Sequence, residues 1–158
     1  QVGSIAVRII SFENIEIDYA FWKKKIEAAF QMRCSLGFDN NPDTNVYRLI
    51  HGEGDGLPGL IVDFYNGTIV TQYHTVGMYL VKDTINKALQ EILGNRLTAI
   101  YDKSESTMPF KAQVKPVNGY VCWLTWVKKE ANLRYLNFCL LLHELKKDLE
   151  AVIYDREQ

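Results

Sequence analysis

Two carboxylates, Glu53 and Asp55, lie close together in the segment 52–59, which reads GEGDGLPG. Four glycines and one proline in this short segment indicate a loop with a forced backbone geometry rather than a flexible linker. Pro58-Gly59 suits the two central positions of a type II turn, because glycine adopts the positive φ that the second position needs. The two carboxylates could bind a metal ion, accept hydrogen bonds from a nucleic-acid base, or cap backbone N–H groups.

His51 and Asp63 flank these carboxylates and could join them in a metal site or an acid–base pair. The four residues lack the ligand count and the spacing of a calcium loop, and the motif contains no nucleophile for a carboxylate to activate. A carboxylate metal hydrolase centred on Glu53 and Asp55 therefore remains a third hypothesis. We favour a structural or domain-interface role, in which the two carboxylates hydrogen-bond loop amides and keep the turn rigid.

A second group of candidates follows the predicted strand 97–102. Lys103 and Ser104 lie directly after this strand, and Lys111 comes a few residues later. Lysine and hydroxyl groups at a strand end could contact phosphates, which would position an RNA without reading its sequence. Together with Arg48 they form the set that we expect to face RNA. An exposed loop of mixed charge explains the same residues equally well.

The loop also carries a family resemblance. The segment 51–63 reads HGEGDGLPGLIVD, is preceded by Tyr47-Arg48-Leu49, and resembles the signature of the central domain of bacterial SAM-dependent ribosomal RNA cytosine-C5 methyltransferases. The similarity extends from about Gly3 to about Tyr120. Three flanking stretches match in the family's order: residues 3–8 (the exit from a PUA domain), residues 17–22 with Arg33 (the next helix) and residues 100–104 (a later central strand).

In that family a PUA domain precedes a central strand-strand-helix-strand-strand (EEHEE) domain, and a Rossmann-like methyltransferase domain follows. The resemblance implies that this chain is the PUA exit and the central substrate-binding domain, with its loop facing ribosomal RNA and a catalytic domain supplied in cis or in trans. The cofactor of the parent family is S-adenosylmethionine (SAM). We expect this chain to bind no cofactor and to be inactive alone, because it contains neither a glycine-rich SAM loop nor a Pro-Cys catalytic pair.

The chain has 158 residues, 47% of them hydrophobic and 23% charged, which is a globular composition. Its net charge of -1 gives no general attraction to nucleic acid, so RNA binding requires a local cationic patch. Cys34, Cys122 and Cys139 are widely spaced and fit reduced, buried thiols better than a disulfide framework or a zinc site. Without a signal peptide or a long apolar run, the protein is expected in the cytoplasm and not in a membrane. A start without methionine indicates a fragment of a longer protein.

The sequence predicts an α+β fold with a mixed, largely antiparallel sheet in β-β-β-α-β order, flanked by an N-terminal helix and a C-terminal helix. Asp18 is the expected N-cap of the first helix, and Asn66-Gly67 is expected to form a type I′ hairpin turn. Aromatic residues in the strands are expected in the core rather than stacked on bases. The predicted strands are residues 4–11, 47–50, 60–65, 68–74 and 97–102, residues 121–126 resemble a further strand, and a later helix covers about 78–93.

We divide the chain into a PUA-exit strand and connecting helix (1–40), a central substrate-binding domain (41–128) and a C-terminal helix whose origin the sequence leaves open (129–158). The helical pattern at 131–152 contains five consecutive apolar residues, 138–142, which would cover more than one face. Such a helix needs deep burial or a partner. It supports a second hypothesis, in which the chain is a protein-interaction module that forms a homodimer through this helix.

Overall fold

The computed structural model describes residues 7–39, 41–109, 112 and 114–123. These residues lie in the first of two compact units, Gln1–Leu124, and the second unit is Thr125–Gln158. Lys111, Cys139 and the predicted helix 131–152 lie outside the described residues. The homodimer hypothesis depends on that helix and therefore stays a prediction.

The described residues form an α+β fold with one mixed sheet, which confirms the predicted class. The five strands lie in the sheet in chain order. β3 and β4 are parallel, and the other neighbouring pairs are antiparallel. In these ranges no helix is both long and apolar enough to cross a membrane. The elements are α1 (Tyr19–Ser35), β1 (Val46–His51), a 3-10 turn (Gly52–Asp55), β2 (Leu60–Tyr65), β3 (Thr68–Tyr73), α2 (Val76–Leu80), α3 (Lys82–Leu93), a second 3-10 turn (Gly94–Arg96), β4 (Ala99–Asp102) and β5 (Gly119–Trp123).

The N-terminal helix α1 begins where the sequence predicts. Asp18 Oδ1 accepts a hydrogen bond from the Phe21 N–H at 2.8 Å, so the predicted N-cap is confirmed. A cap of this kind is worth about 1 kcal/mol of stability. Trp22, Ile26 and Ala29 are buried on one face of the helix. That face packs against α3 and β1.

The hairpin between β2 and β3 turns at Asn66-Gly67, as predicted. Asn66 has φ 45° and Gly67 has φ 92°, the two positive values that a type I′ turn requires. The turn pairs Tyr65 with Thr68 and fixes the register of both strands. The register in turn decides which side chains of each strand enter the core.

The core lies between the helices and the sheet. Leu60 and Val62 of β2 enter it alternately, as the period of two in a strand predicts, whereas β1 buries both Leu49 and Ile50 at a register shift and β3 is buried along most of its length. Its fully buried large side chains come from α1, β1, the loop before β2, β2, β3, α3, the segment before β4, and β4: Ile26, Leu49, Ile50, Leu57, Leu60, Ile69, Tyr73, Ile85, Leu89, Leu97 and Ile100.

Two sequence predictions were wrong. Residues 7–11, the described part of the predicted strand 4–11, form no strand, and Val7 and Ile9 are exposed there. Their alternating pattern has no neighbouring strand to pair with, and pattern alone does not make a ladder. The predicted helix 78–93 is two helices, α2 and α3, separated at Val81. The start of α2 is capped by Thr75, whose hydroxyl accepts from the Met78 N–H, and no proline or glycine marks the break.

Candidate nucleic-acid interface

The glycine-rich loop 52–59 is a compact corner between β1 and β2. Gly56 adopts the left-handed conformation with φ 65° and ends the 3-10 turn. The Leu60 N–H donates to the Leu57 carbonyl at 3.1 Å across Pro58-Gly59, and Gly59 has φ 83°. These features match the predicted type II turn. Leu57 is fully buried and anchors the corner in the core.

Arg33 of α1 holds this loop through Asp55. Two parallel hydrogen bonds of 2.7 Å join Arg33 Nη1 and Nη2 to Asp55 Oδ1 and Oδ2. The two side chains are 10% and 4% exposed, so this pair, the Arg33–Asp55 clamp, is buried. Arg33 Nε donates to the Arg48 carbonyl at 3.0 Å, and Asp55 Oδ2 accepts from the His51 N–H at 2.6 Å. The clamp therefore fixes the loop to both α1 and β1.

The environment of Asp55 keeps its carboxylate ionised. Burial raises the pKa of Asp55, but the hydrogen bonds from Arg33 and from the His51 N–H together outweigh burial, and the pKa lies below its usual range. Both carboxylate oxygens are occupied by protein donors. This arrangement gives Asp55 a structural role, as the sequence favoured, and leaves it poorly placed to hold a metal ion.

Glu53 has a different environment from Asp55, although the two lie two positions apart. Its side chain is 70% exposed, and Oε1 lies 3.5 Å from Arg8 Nε. Among the residues that the structure describes, no group of three histidine, cysteine, aspartate or glutamate side chains is arranged to hold a metal ion. Glu53 is therefore the member of the pair that a partner can reach.

Arg48 lies on β1 beside the loop. Its Nε donates to Asp63 Oδ1 at 2.8 Å and its Nη2 to Asp63 Oδ2 at 3.2 Å, across the β1–β2 pair. Nη1 lies 3.4 Å from His51 Nδ1. The hydrogen bonds that Arg48 donates to Asp63 raise the pKa of Arg48. With 47% of its side chain exposed, Arg48 offers a permanent positive charge at the surface.

Ser104 does not face solvent. It is fully buried, its hydroxyl accepts from the Tyr73 N–H at 3.0 Å, and it donates to Asp102 Oδ1. Burial raises the pKa of Asp102, against the opposing effects of the Ser104 hydrogen bonds and of Lys82. The Ser104 hydroxyl therefore joins β3 to the segment after β4. Because it is buried, it does not belong to the set of residues that can face RNA.

The remaining members of the predicted set are placed as follows. The Lys103 N–H donates to the Thr71 carbonyl at 2.8 Å, and Lys103 is partly exposed. It lies at the same end of the sheet as the loop, because β3 ends at Tyr73 beside the start of β2. Glu53 and Asp55 lie in the loop itself, and Arg48 lies on the neighbouring strand β1. Lys111 lies outside the described residues.

A groove of about 530 Å³ runs beside the loop, between the end of α1 and β1. Met32, Leu36 and Phe38 form its apolar wall and are 50%, 63% and 39% exposed. Arg48 and His51 also border it. The sequence gave no sign of this groove.

Tyr47, at the base of the groove, stands in a column of three rings. Its ring stacks on Phe38 with centroids 6.0 Å apart and on Phe64 with centroids 5.1 Å apart. Tyr47 itself is 9% exposed. Burial raises the pKa of its hydroxyl to about 12, so the ring is uncharged near neutral pH.

Sequence reasoning missed the clamp that shapes this site. Arg33 follows Ile26 by seven positions and Ala29 by four, so it falls on the buried face of α1. A buried arginine requires a partner that compensates its charge. This position was the available signal, and Asp55 in a glycine-rich loop was the available partner.

Two cysteines lie in the described residues, Cys34 and Cys122, and both are free and partly buried. Burial raises the pKa of each thiol. A raised pKa lowers the thiolate fraction near neutral pH and with it the reactivity of the sulfur. Both fit the expectation of unreactive thiols.

Sequence comparison relates the chain to ribosomal RNA large subunit methyltransferases. It is 34% identical over 118 residues to Ribosomal RNA large subunit methyltransferase I of Alteromonas mediterranea, which covers 74% of this chain and 29% of that protein. The protein of the same name in Erwinia tasmaniensis is 34% identical over 120 residues, or 75% of this chain and 29% of the relative. YwbD of Bacillus subtilis, named provisionally as such a methyltransferase, is 40% identical over 88 residues. The aligned part is 56% of this chain and 22% of the length of YwbD. No protein-family model matches the sequence.

Solved structures share the fold. A Streptococcus mutans protein, described provisionally as a SAM-dependent methyltransferase, aligns with a TM-score of 0.61 and 19% identity. The alignment covers 75% of this chain and 28% of the Streptococcus mutans chain. A second structure, of a provisionally assigned methyltransferase complexed with SAH, matches the same shares with a TM-score of 0.60 and 19% identity. The chain thus spans less than a third of the length of the relatives and structures that it matches.

Proposed function

We propose that this chain, a relative of the ribosomal RNA large subunit methyltransferases over less than a third of their length, is the RNA-binding central portion of such an enzyme. One observation carries the proposal: the buried Arg33–Asp55 clamp fixes the loop 52–59, which carries the exposed Glu53, beside the exposed Arg48 of β1. A rigid, charged corner suits the positioning of a large charged substrate.

The cationic side chains at this end of the sheet contact RNA phosphates. Arg48 supplies one contact and Lys103 a second, and we propose Lys111, which lies outside the described residues, as a third. Such contacts fix the position of an RNA without reading its sequence. Glu53 accepts hydrogen bonds from a base or from the catalytic domain. Asp55 shapes the loop and touches neither.

The chemistry of methyl transfer belongs to the rest of the parent enzyme. We place this chain between a PUA domain and a SAM-binding methyltransferase domain, as an EEHEE domain that works in the cytoplasm on ribosomal RNA, with cytosine C5 as the methylated position. The Cys34 and Cys122 thiols have pKa values raised by burial, which supports the view that neither is a nucleophile. In this proposal SAM binds to the catalytic domain of the parent enzyme.

Two titrations of the isolated chain test this function. Fluorescence anisotropy with labelled fragments of large-subunit ribosomal RNA should give dissociation constants at or below the range of about 10⁻⁴–10⁻⁶ M that electrostatic, non-specific binding gives. Calorimetry with SAM should give no heat of binding. The proposal fails if SAM binds or is turned over by this chain, or if no RNA fragment binds at low salt.

A further inference from the structure

We propose that the groove between the end of α1 and β1 takes one unpaired base of an RNA strand, which lies against the Phe38–Tyr47 stack while Arg48 and His51 face its phosphate. The proposal rests on the RNA-binding function proposed above and adds the form of RNA that this site selects, namely single-stranded RNA with an exposed base.

The aromatic stack gives the base a flat and fixed surface. Tyr47 is held between Phe38 and Phe64, with interplanar angles of 15° and 29°. Phe38 forms the outer ring of the column and is 39% exposed. Every base has a π-face, so a ring of this kind stacks on bases with little dependence on sequence. A tyrosine hydroxyl has an ordinary pKa of about 10, so the column carries no negative charge near neutral pH that would repel RNA.

The walls of the groove fit a small planar group. Met32 and Leu36 leave apolar side chains half-exposed or more beside Phe38, and the groove volume is about 530 Å³. Ligand sites that enclose a small molecule have volumes of about 300–1,000 Å³. The space is therefore large enough for one nucleotide and too small for a nucleic-acid duplex.

The charges around the groove complement a phosphate. Asp55, the carboxylate in its lining, is paired with the Nη1 and Nη2 atoms of Arg33. Arg48 uses Nε and Nη2 to pair with Asp63 but remains 47% exposed at the border, where its Nη1 lies beside the exposed ring of His51. The side of the groove that a ligand meets is thus apolar at its wall, and the guanidinium of Arg48 at its border carries an N–H donor that can reach a phosphate oxygen.

The backbone at the edge of β1 disfavours an extended peptide as the ligand of the groove. A peptide gains affinity at a sheet edge by pairing with free backbone groups. Here Thr44 Oγ1 donates to the Val46 carbonyl and accepts from the Val46 N–H, and Arg33 Nε donates to the Arg48 carbonyl. With these backbone groups occupied by side chains, β1 offers little to a strand that would pair with it.

The experiment compares two 12-nucleotide RNA strands that carry the same number of phosphates, one with bases and one abasic, by fluorescence anisotropy with the full 158-residue chain. We expect the strand with bases to bind about five- to a hundredfold more tightly, the range of a single aromatic–base stack. Phe38→Ala and Leu36→Asp should each remove this difference.

Matched variants control for charge and exposure. Phe12→Ala alters a phenylalanine that is 94% exposed outside the groove, and Leu80→Asp adds a negative charge at the end of α2, where Leu80 is 71% exposed. Both controls should keep the preference for the strand with bases. Ultraviolet cross-linking of the unaltered protein to the same strand should attach it within residues 32–51, a result that does not depend on the folding of any variant.

The outcomes separate this proposal from the function on which it rests. If both strands bind equally, if the groove variants keep the preference, or if cross-links fall elsewhere, the base site is overturned while RNA binding stands. If neither strand and no ribosomal RNA fragment binds, both proposals fail. A third result would assign the groove to a protein partner. In that case an extended peptide binds in the groove, the Leu36→Asp substitution blocks that binding, and the two RNA strands bind equally.

Discussion

Arg33 and Asp55 are joined by two parallel hydrogen bonds of 2.7 Å, although they lie on different elements and 22 positions apart in the chain. Arg33 Nε also donates to the Arg48 carbonyl, Arg33 Nη1 lies 3.3 Å from Met32 Sδ, and Asp55 Oδ2 also accepts from the His51 N–H. A buried ion pair offsets the cost of desolvating its charges when its geometry is good and its other groups are satisfied. Both conditions hold here, so the loop is locked to α1.

The Arg33→Gln variant should lose about 3–5 kcal/mol in the free energy of unfolding, because it leaves the buried Asp55 carboxylate without its partner. Arg48→Gln is the matched control, since Arg48 also pairs with an aspartate through two nitrogens but is 47% exposed. An exposed pair is worth about 1 kcal/mol or less. Urea unfolding at neutral pH measures both; equal losses in the two variants would contradict the role of the clamp.

The stability of the protein should fall in acid through Asp55. Burial raises the pKa of Asp55, but the hydrogen bonds from Arg33 and the His51 N–H outweigh it and bring the pKa below the value of about 3.9 for an unfolded chain. A lowered carboxylate pKa gives stability that is complete above the unfolded value and is lost as the pH falls through the folded value. Urea midpoints between pH 6 and pH 2 should therefore drop more steeply in the native protein than in Asp55→Asn. Parallel curves would show that Asp55 does not carry this linkage.

A second acid-sensitive group is His74, in the segment after β3. Burial, followed by the nearby Arg8, lowers the pKa of His74, and its Nε2 is buried with no hydrogen-bond partner among the described residues. A lowered histidine pKa means that the unfolded chain binds the proton more readily, so stability decreases as the pH falls through about 6.5. His74→Gln should flatten the dependence of the urea midpoint on pH between about 7.5 and 5. NMR titration of the imidazole gives the independent check, and a folded-state pKa at or above 6.5 would contradict this account.

Gly59 is required by both the turn and its surroundings. Its φ is 83°, and a Cβ at this position would lie 2.7 Å from Thr75 Cγ2. Gly59→Ala should therefore cost about 1–3 kcal/mol of stability, the range of a residue held in a strained conformation. Gly77→Ala, in α2, is the control, because a Cβ there meets nothing within 4 Å. That substitution should be neutral or stabilise by up to about 1 kcal/mol, and urea unfolding would refute the prediction if both variants behaved alike.

The elements that could be predicted are those that short-range chemistry determines. The Asp18 cap needs only the three residues that follow it, and Asn66-Gly67 supplies both positive φ values of its turn. The break at Val81 could not be predicted, since the local sequence supports one continuous helix. The segment 7–11 has a strand pattern, but a strand exists only where a neighbour pairs with it, and local pattern cannot report that.

Only the local features of the candidate site could be predicted from the sequence. The sequence identified the loop 52–59 and its turn, which are local, and it favoured a structural role that Asp55 holds. It could not show that Ser104 turns inward to Tyr73 or that Phe38 forms the wall of a groove. Those facts depend on contacts between β3, β4 and the segments beside α1, which are distant in the chain.

The salt dependence of RNA binding tests the central claim most directly, because each phosphate held by a side chain contributes to the slope of log K against log salt concentration. The isolated chain should bind a ribosomal RNA fragment, and Arg48→Gln should reduce the magnitude of the slope by roughly 0.7, the value for one contact with a single strand. Lys23→Gln is the control, since Lys23 is 41% exposed and paired with Glu91 away from the loop. An unchanged slope in Arg48→Gln, or an equal reduction in Lys23→Gln, would contradict an RNA interface at this corner.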